Sequence, residues 1–188
     1  MSIKKKIVGL TALVTAAASL AGCGNINTGV SFMENGKKIY GYAKSIWAMI
    51  DTVTREPQDI LAVNDGKIKD YLYPEKECPI KDVSRVKTPE MDEFTEFKVL
   101  YGDLDVNGHL NSMRYIDHVM DTFAPDFFKS HQMKRIEIAY VAEGHWGDTV
   151  RIYHKEDDGD MHYFRLVRHN EGEEPVELAR VLMNFKTN

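Results

Sequence analysis

The densest run of groups able to handle protons and carbonyl oxygens is Asp103-Leu104-Asp105-Val106-Asn107-Gly108-His109-Leu110-Asn111. Asp105, Asn107 and His109 alternate along it. A carboxylate accepts hydrogen bonds, a carboxamide both donates and accepts, and an imidazole can do either near neutral pH. Together they can hold and polarise a water or a substrate atom. Leu110, Met113, Ile116, Val119, Met120 and Phe123 follow at helical spacing, and Pro125 closes the stretch, so the run should feed an amphipathic helix. The first N–H groups of a helix lack partners within it and favour negative charge. A carbonyl set against them would be stabilised as its oxygen becomes negative.

Two other readings of the same residues compete. Asp103, Asp105, Asn107 and Gly108 match the opening of an EF-hand calcium loop. The twelfth position of such a loop needs glutamate and here is Arg114. The segment before it also alternates as a strand does, where an EF-hand needs a helix. Turn and cap chemistry is the second alternative, since Asp and Asn are common at both. It explains much of the loop but not His109 and a second asparagine together.

The elements around the loop follow from periodicity. Phe97, Val99 and Tyr101 alternate with Lys98 and Leu100, as in a half-buried strand. Beyond the helix, Arg135 to Val141, Thr149 to Lys155, Met161 to His169 and Val176 to Lys186 are rich in β-branched and aromatic residues, with polar turns between them. The expected order is strand, helix, then four strands in a meander. One amphipathic helix is buried when an antiparallel sheet curls around it, the hotdog architecture, although other α+β sandwiches share the pattern. Upstream, Val30 to Asp51 reads as a hairpin turning at Glu34-Asn35-Gly36-Lys37. The segment 53–92 contains Pro57, Pro74, Pro79 and Pro89 and reads as a connector with a short helix near Asp59 to Leu72. This divides the chain into 1–23, 24–52, 53–92 and 93–188.

The loop and the helix after it resemble the acyl-ACP thioesterases, enzymes that release fatty acids from acyl carrier protein. Asp-Leu-Asp-Val-Asn-Gly-His-Leu-Asn-Ser-Met-Arg-Tyr-Ile, beginning at Asp103, is similar to their catalytic segment, whose pattern falls on Asp105, Asn107 and His109. Ile138-Ala139-Tyr140-Val141-Ala142-Glu143 resembles the strand ending in the family's catalytic glutamate, so the resemblance assigns that role to Glu143. Plant members commonly carry a cysteine next; here it is Gly144, which excludes a thiol mechanism at that position. Ser45 to Asp51 and Thr54-Arg55-Glu56-Pro57 resemble the end of the first of the family's two tandem hotdog domains. The resemblance implies a hotdog hydrolase acting on acyl thioesters, with no metal or organic cofactor and with acyl carrier protein as partner. The same fold without turnover would be an acyl-binding or interaction module. His145, beside Glu143, either extends the site or, the commoner case, is a surface or turn histidine.

Net charge is −5 over 188 residues with mixed signs, so no basic field points to nucleic acid. Cys23 and Cys78 are too few and too distant for a disulfide framework or metal site. Lys4-Lys5-Lys6, the uncharged run Ile7 to Leu20 and Leu20-Ala21-Gly22-Cys23 resemble the leader and lipobox of bacterial lipoproteins. A lipidated Cys23 implies membrane anchoring; the family resemblance implies a cytoplasmic protein. A single complete hotdog domain leaves an uncovered edge and apolar face, so a two-fold homodimer is expected.

Overall fold

The computed structural model describes residues 26–34, 38–47, 49–51, 54, 56–59, 61–71, 79–80, 86–158 and 160–188. The leader with Cys23, and Cys78, lie outside them. Strands β1 (Ile26–Glu34) and β2 (Lys38–Trp47) form an antiparallel hairpin running from Ile26 opposite Trp47 to Glu34 opposite Lys38. The Asn35-Gly36 turn between them is outside the described residues. Two short strands, β3 (Met49–Ile50) and β4 (Pro57–Gln58), pair next. A 3₁₀ segment spans Val63–Tyr71, within the stretch where the sequence predicts a short helix. Within it Asp65 and Gly66 take positive φ, a region that glycine enters freely and aspartate more readily than most residues.

The chain then builds one sheet around one helix. In order come β5 (Phe94–Lys98), α1 (Ser112–Met120), α2 (Phe127–Ser130), β6 (His131–Tyr140), β7 (Thr149–Asp157), β8 (Met161–Arg168) and β9 (Val176–Thr187). The sheet order is β5-β7-β8-β9-β6, with every pair antiparallel. Burial alternates along β7, β8 and β9. Their inward residues, including Val150, Phe164, Leu166, Val181 and Met183, join Tyr115 and Val119 of α1 in a single core. Each large apolar side chain buried there contributes about 1.5–3 kcal/mol. This is the hotdog arrangement.

Three details differ from expectation. The first strand stops at Lys98, and Tyr101 is 85% exposed in a 3₁₀ turn over Tyr101–Asp103. The cause is local: the Asp103 carboxylate accepts the Leu100 N–H at 2.8 Å, and the Asp103 N–H reaches the Leu100 carbonyl at 3.0 Å, which folds the chain back before alternation can continue. The last four strands are not a simple meander either. Only β7, β8 and β9 are; β6 lies at the far edge beside β9. The passage through α1 carries the chain across the sheet face, so β6 lands on the edge opposite β5. Within α1 the buried residues are Tyr115 and Val119, whereas Met113 is exposed. The spacing is helical as expected, but the stripe is rotated toward the tyrosine. Val86 and Met91, inside the stretch read as connector, are buried, and Arg180 Nη1 donates to the Val86 carbonyl at 3.3 Å.

Candidate active site

The loop between the Tyr101–Asp103 turn and α1 is shaped by Asp105. Its Oδ1 accepts the N–H of Asn107 at 2.8 Å and of His109 at 3.1 Å. Its own N–H donates to the His109 carbonyl at 2.8 Å, and Gly108 N–H donates to the Asp105 carbonyl at 3.1 Å. Gly108 takes a φ of +80°, which a side chain would oppose. The outcome is a closed five-residue turn that presents Asn107 on the surface and places His109 at its base. Asp105 therefore acts through the backbone, as a brace.

The calcium reading fails on the direction of the carboxylates. Asp103 gives one oxygen to the Leu100 N–H and lies 3.2 Å from His118 Nε2 with the other. His118 stacks on Phe97 at 3.8 Å between ring centroids, tying α1 to β5. Asp105 faces the inside of its own turn. The second asparagine also has an ordinary structural role. Asn111 Oδ1 caps α1 by accepting the Met113 N–H at 2.9 Å. Its carbonyl accepts the Arg114 N–H, and its N–H donates to Asp103 O. The N–H groups of Met113 and Arg114 at the start of α1 are thus already engaged within the protein.

Glu143 arrives from the segment after β6, and the loop is stitched to that segment. His109 and His145 form an antiparallel bridge, and Leu110 N–H donates to the Gly144 carbonyl at 2.7 Å. This pairing brings His109 Nε2 to 3.6 Å from Glu143 Oε2, with the two side chains 31% and 47% exposed. Of the four residues expected to act, Asp105 and His109 share the turn, and Glu143 faces His109 across the bridge. Asn107 sits at the exposed tip. A ring edge meets the ring face between His109 and His145, with centroids 5.2 Å apart and planes at 86°. His145 is exposed, as a surface histidine would be, and is also part of this cluster.

Two groups that sequence reading did not single out hold the second half of the site. Tyr115, buried in the core, accepts the Gly144 N–H on its hydroxyl oxygen at 3.2 Å. Its pKa is pushed up to about 12, by burial first and then by the Asp148 and Glu143 carboxylates, against the lowering effect of the Gly144 N–H. Tyr115 therefore stays neutral. Asp148, buried, accepts the His145 N–H at 2.7 Å and the Asn170 amide at 2.9 Å. Its N–H and carbonyl bond to His145 and Val99. A buried carboxylate costs free energy unless it is fully hydrogen-bonded, so this one fixes the Glu143–Asp148 turn. The only sequence signal for it is Gly147-Asp148 ahead of a strand.

The geometry agrees with the comparisons with known proteins. The profile of the acyl-ACP thioesterase C-terminal domain matches residues 86–184. The oleoyl-acyl carrier protein thioesterase 2 of Arabidopsis thaliana is 27% identical over 124 residues, covering 60% of this chain and 33% of that protein. The palmitoyl-acyl carrier protein thioesterase of Gossypium hirsutum is 28% identical over 120 residues, covering 61% and 28%. Among solved structures, an acyl-ACP thioesterase from Bacteroides thetaiotaomicron superposes with a TM-score of 0.76 at 30% identity, covering 86% of this chain and 63% of that one. The chain thus spans about a third of the length of these curated relatives. With the profile running over more than half of its residues and containing both the Asp105–His109 turn and Glu143, the chain belongs to the acyl-ACP thioesterase family.

Proposed function

We propose that this chain hydrolyses acyl thioesters carried on acyl carrier protein, releasing the free fatty acid. The observation that carries the reading is the pairing of His109 Nε2 with the Glu143 carboxylate at 3.6 Å, on two segments locked together by a backbone bridge. In this reading Glu143 takes a proton from water as general base. The water oxygen adds to the thioester carbonyl carbon, and the carbonyl electrons move to oxygen. The tetrahedral intermediate then collapses, the C–S bond breaks and the thiolate leaves, recovering the proton through Glu143 or His109. Asn107, at the exposed tip of the turn, supplies an amide donor for the developing oxyanion. The 3.6 Å separation is beyond a direct hydrogen bond; a small side-chain rotation would close it.

The test is turnover of acyl-ACP by the purified chain, with Glu143→Gln and His109→Ala alongside. Each variant should lose about 10²–10⁴-fold in rate, the range for removing a general base, while its melting temperature stays close to that of the parent. Wild-type turnover retained in either variant, or no hydrolysis by the parent chain, removes the proposal.

A further inference from the structure

The site described above holds one more ligating group than hydrolysis requires. His109, Glu143 and His145 each offer a ligand atom, and these atoms all lie within 4.8 Å of one another. We propose that the three residues form a binding site for zinc or a similar borderline divalent ion, and that filling it switches hydrolysis off. The binding stands on the geometry by itself; its consequence rests on the thioesterase reading.

Two imidazoles and one carboxylate are a set that suits zinc rather than calcium or magnesium, which take oxygen ligands. Three protein ligands with a fourth position open to solvent is the usual composition of an accessible zinc site. Zinc–nitrogen and zinc–oxygen bonds of about 2.0–2.2 Å place tetrahedral ligand atoms about 3.3 Å apart. The His109–Glu143 pair already stands at 3.6 Å. The widest separation needs to contract by at most about 1.5 Å, a movement that rotation of partly exposed side chains provides.

The backbone under the cluster is unusually well fixed. His109 and His145 face each other across an antiparallel bridge. Gly144, between the other two ligands, is pinned by its N–H to Tyr115 and its carbonyl to Leu110. The Asp148 carboxylate holds the His145 N–H. Such support from behind the ligands matters for affinity. Zinc there would occupy the lone pairs of Glu143 and His109, which the hydrolytic step needs free.

The experiment measures zinc binding and hydrolysis separately. Zinc is titrated into the full chain against a chromogenic chelator, and acyl-ACP turnover is followed over the same zinc range and after adding excess EDTA. The expected result is one zinc per chain. His109→Ala, His145→Ala and Glu143→Gln should each weaken it by more than the roughly 10–100-fold that loss of a mere supporting partner costs. His169→Ala, away from the cluster, should leave affinity within about twofold, since it removes no ligand. Turnover by the parent chain should fall in step with zinc occupancy and return with EDTA. Binding that survives His145→Ala, or no stoichiometric binding, overturns the site. A parent chain that stays active or speeds up at saturating zinc overturns the switch. If the chain binds zinc with these losses but hydrolyses nothing, the site stands and the thioesterase reading falls.

Discussion

Asp105 and Gly144 hold the backbone of the site through hydrogen bonds within the protein. Asp105→Ala would leave two N–H groups of the turn without their acceptor and should destabilise the domain by about 1.5–3 kcal/mol, on the scale of hydrogen bonds to a charged group. Turnover should fall with it because His109 loses its footing. Thermal unfolding and kinetics of one sample would check both; a variant unchanged in both shows that the turn holds without its brace. A Cβ on Gly144 would lie 3.1 Å from Leu110 Cβ, 3.2 Å from the Tyr115 hydroxyl and 3.3 Å from Leu110 Cδ2. Both neighbours are buried and cannot retreat freely, so Gly144→Ala should cost about 1–3 kcal/mol through overpacking. The same crowding explains why the plant-type cysteine does not fit here: Gly144→Cys should destabilise the chain and leave it insensitive to thiol reagents at that position. Turnover by Gly144→Cys that rises and becomes thiol-dependent would contradict this. Asp105, Asn107, His109 and Glu143 stood out in the sequence because polar residues crowd one short run and a family pattern reaches Glu143. Tyr115 and Asp148 did not, because their roles are set by a pairing between distant stretches of chain, which no local pattern records.

Among the elements, the end of the sheet beside α2 carries a titratable core. His162 is 1% exposed, and its Nδ1 lies 3.0 Å from His154 Nε2. Its other ring nitrogen, Nε2, is buried without a hydrogen-bond partner among the described residues. Phe123, Phe127 and Phe185 surround it edge-on. Two facing ring nitrogens share one proton well and two badly. The arrangement with the proton on His162 Nδ1 leaves only a lone pair, not an N–H, in the apolar space. Burial lowers the pKa of both histidines first; His154 is lowered further by His162, and His162 by His131, partly offset by nearby carboxylates. Above about pH 6.5 both histidines are neutral in the folded and the unfolded chain, and as pH falls below that value the unfolded chain takes up protons that the fold refuses. Stability should therefore drop between about pH 6.5 and the lower folded pKa values, then level off. Replacing His154 and His162 together by Phe and Gln should flatten that limb of the melting temperature against pH; an equally steep limb would place the titration elsewhere. Strands β6 to β9 and the helix were legible because their spacing is long and regular. The far-edge position of β6 was not, since strand order is decided by the path of α1 over the sheet and not by any property of β6 itself.

At the scale of the whole molecule, the surface around the site is apolar beyond what a solvated rim needs. Leu100, Tyr101, Val106, Met113, Val141 and Trp146 are all exposed, and each lies within a few residues of the turn or of Glu143. Exposed apolar residues gathered in these segments are candidates for an interaction surface. We propose that a second copy covers these residues, as a two-fold dimer. The sheet edge is a poorer route. The β6 edge carries Lys134, Arg135 and Glu137, and charges of this sort guard an edge against strand pairing. Association should therefore run through the rim and be driven by apolar burial. Sedimentation velocity on residues 24–188 should show a concentration-dependent shift from monomer to dimer. Trp146→Lys should weaken it most, because a large exposed aromatic is the kind of residue that anchors an interface, whereas Arg135→Glu on the edge should change little. Membrane attachment is a separate matter, decided by whether Cys23→Ala moves the cellular protein from the membrane fraction to the soluble one. A chain that sediments as a compact monomer at every concentration, with Trp146 substitutions silent, would show that the rim serves a different partner.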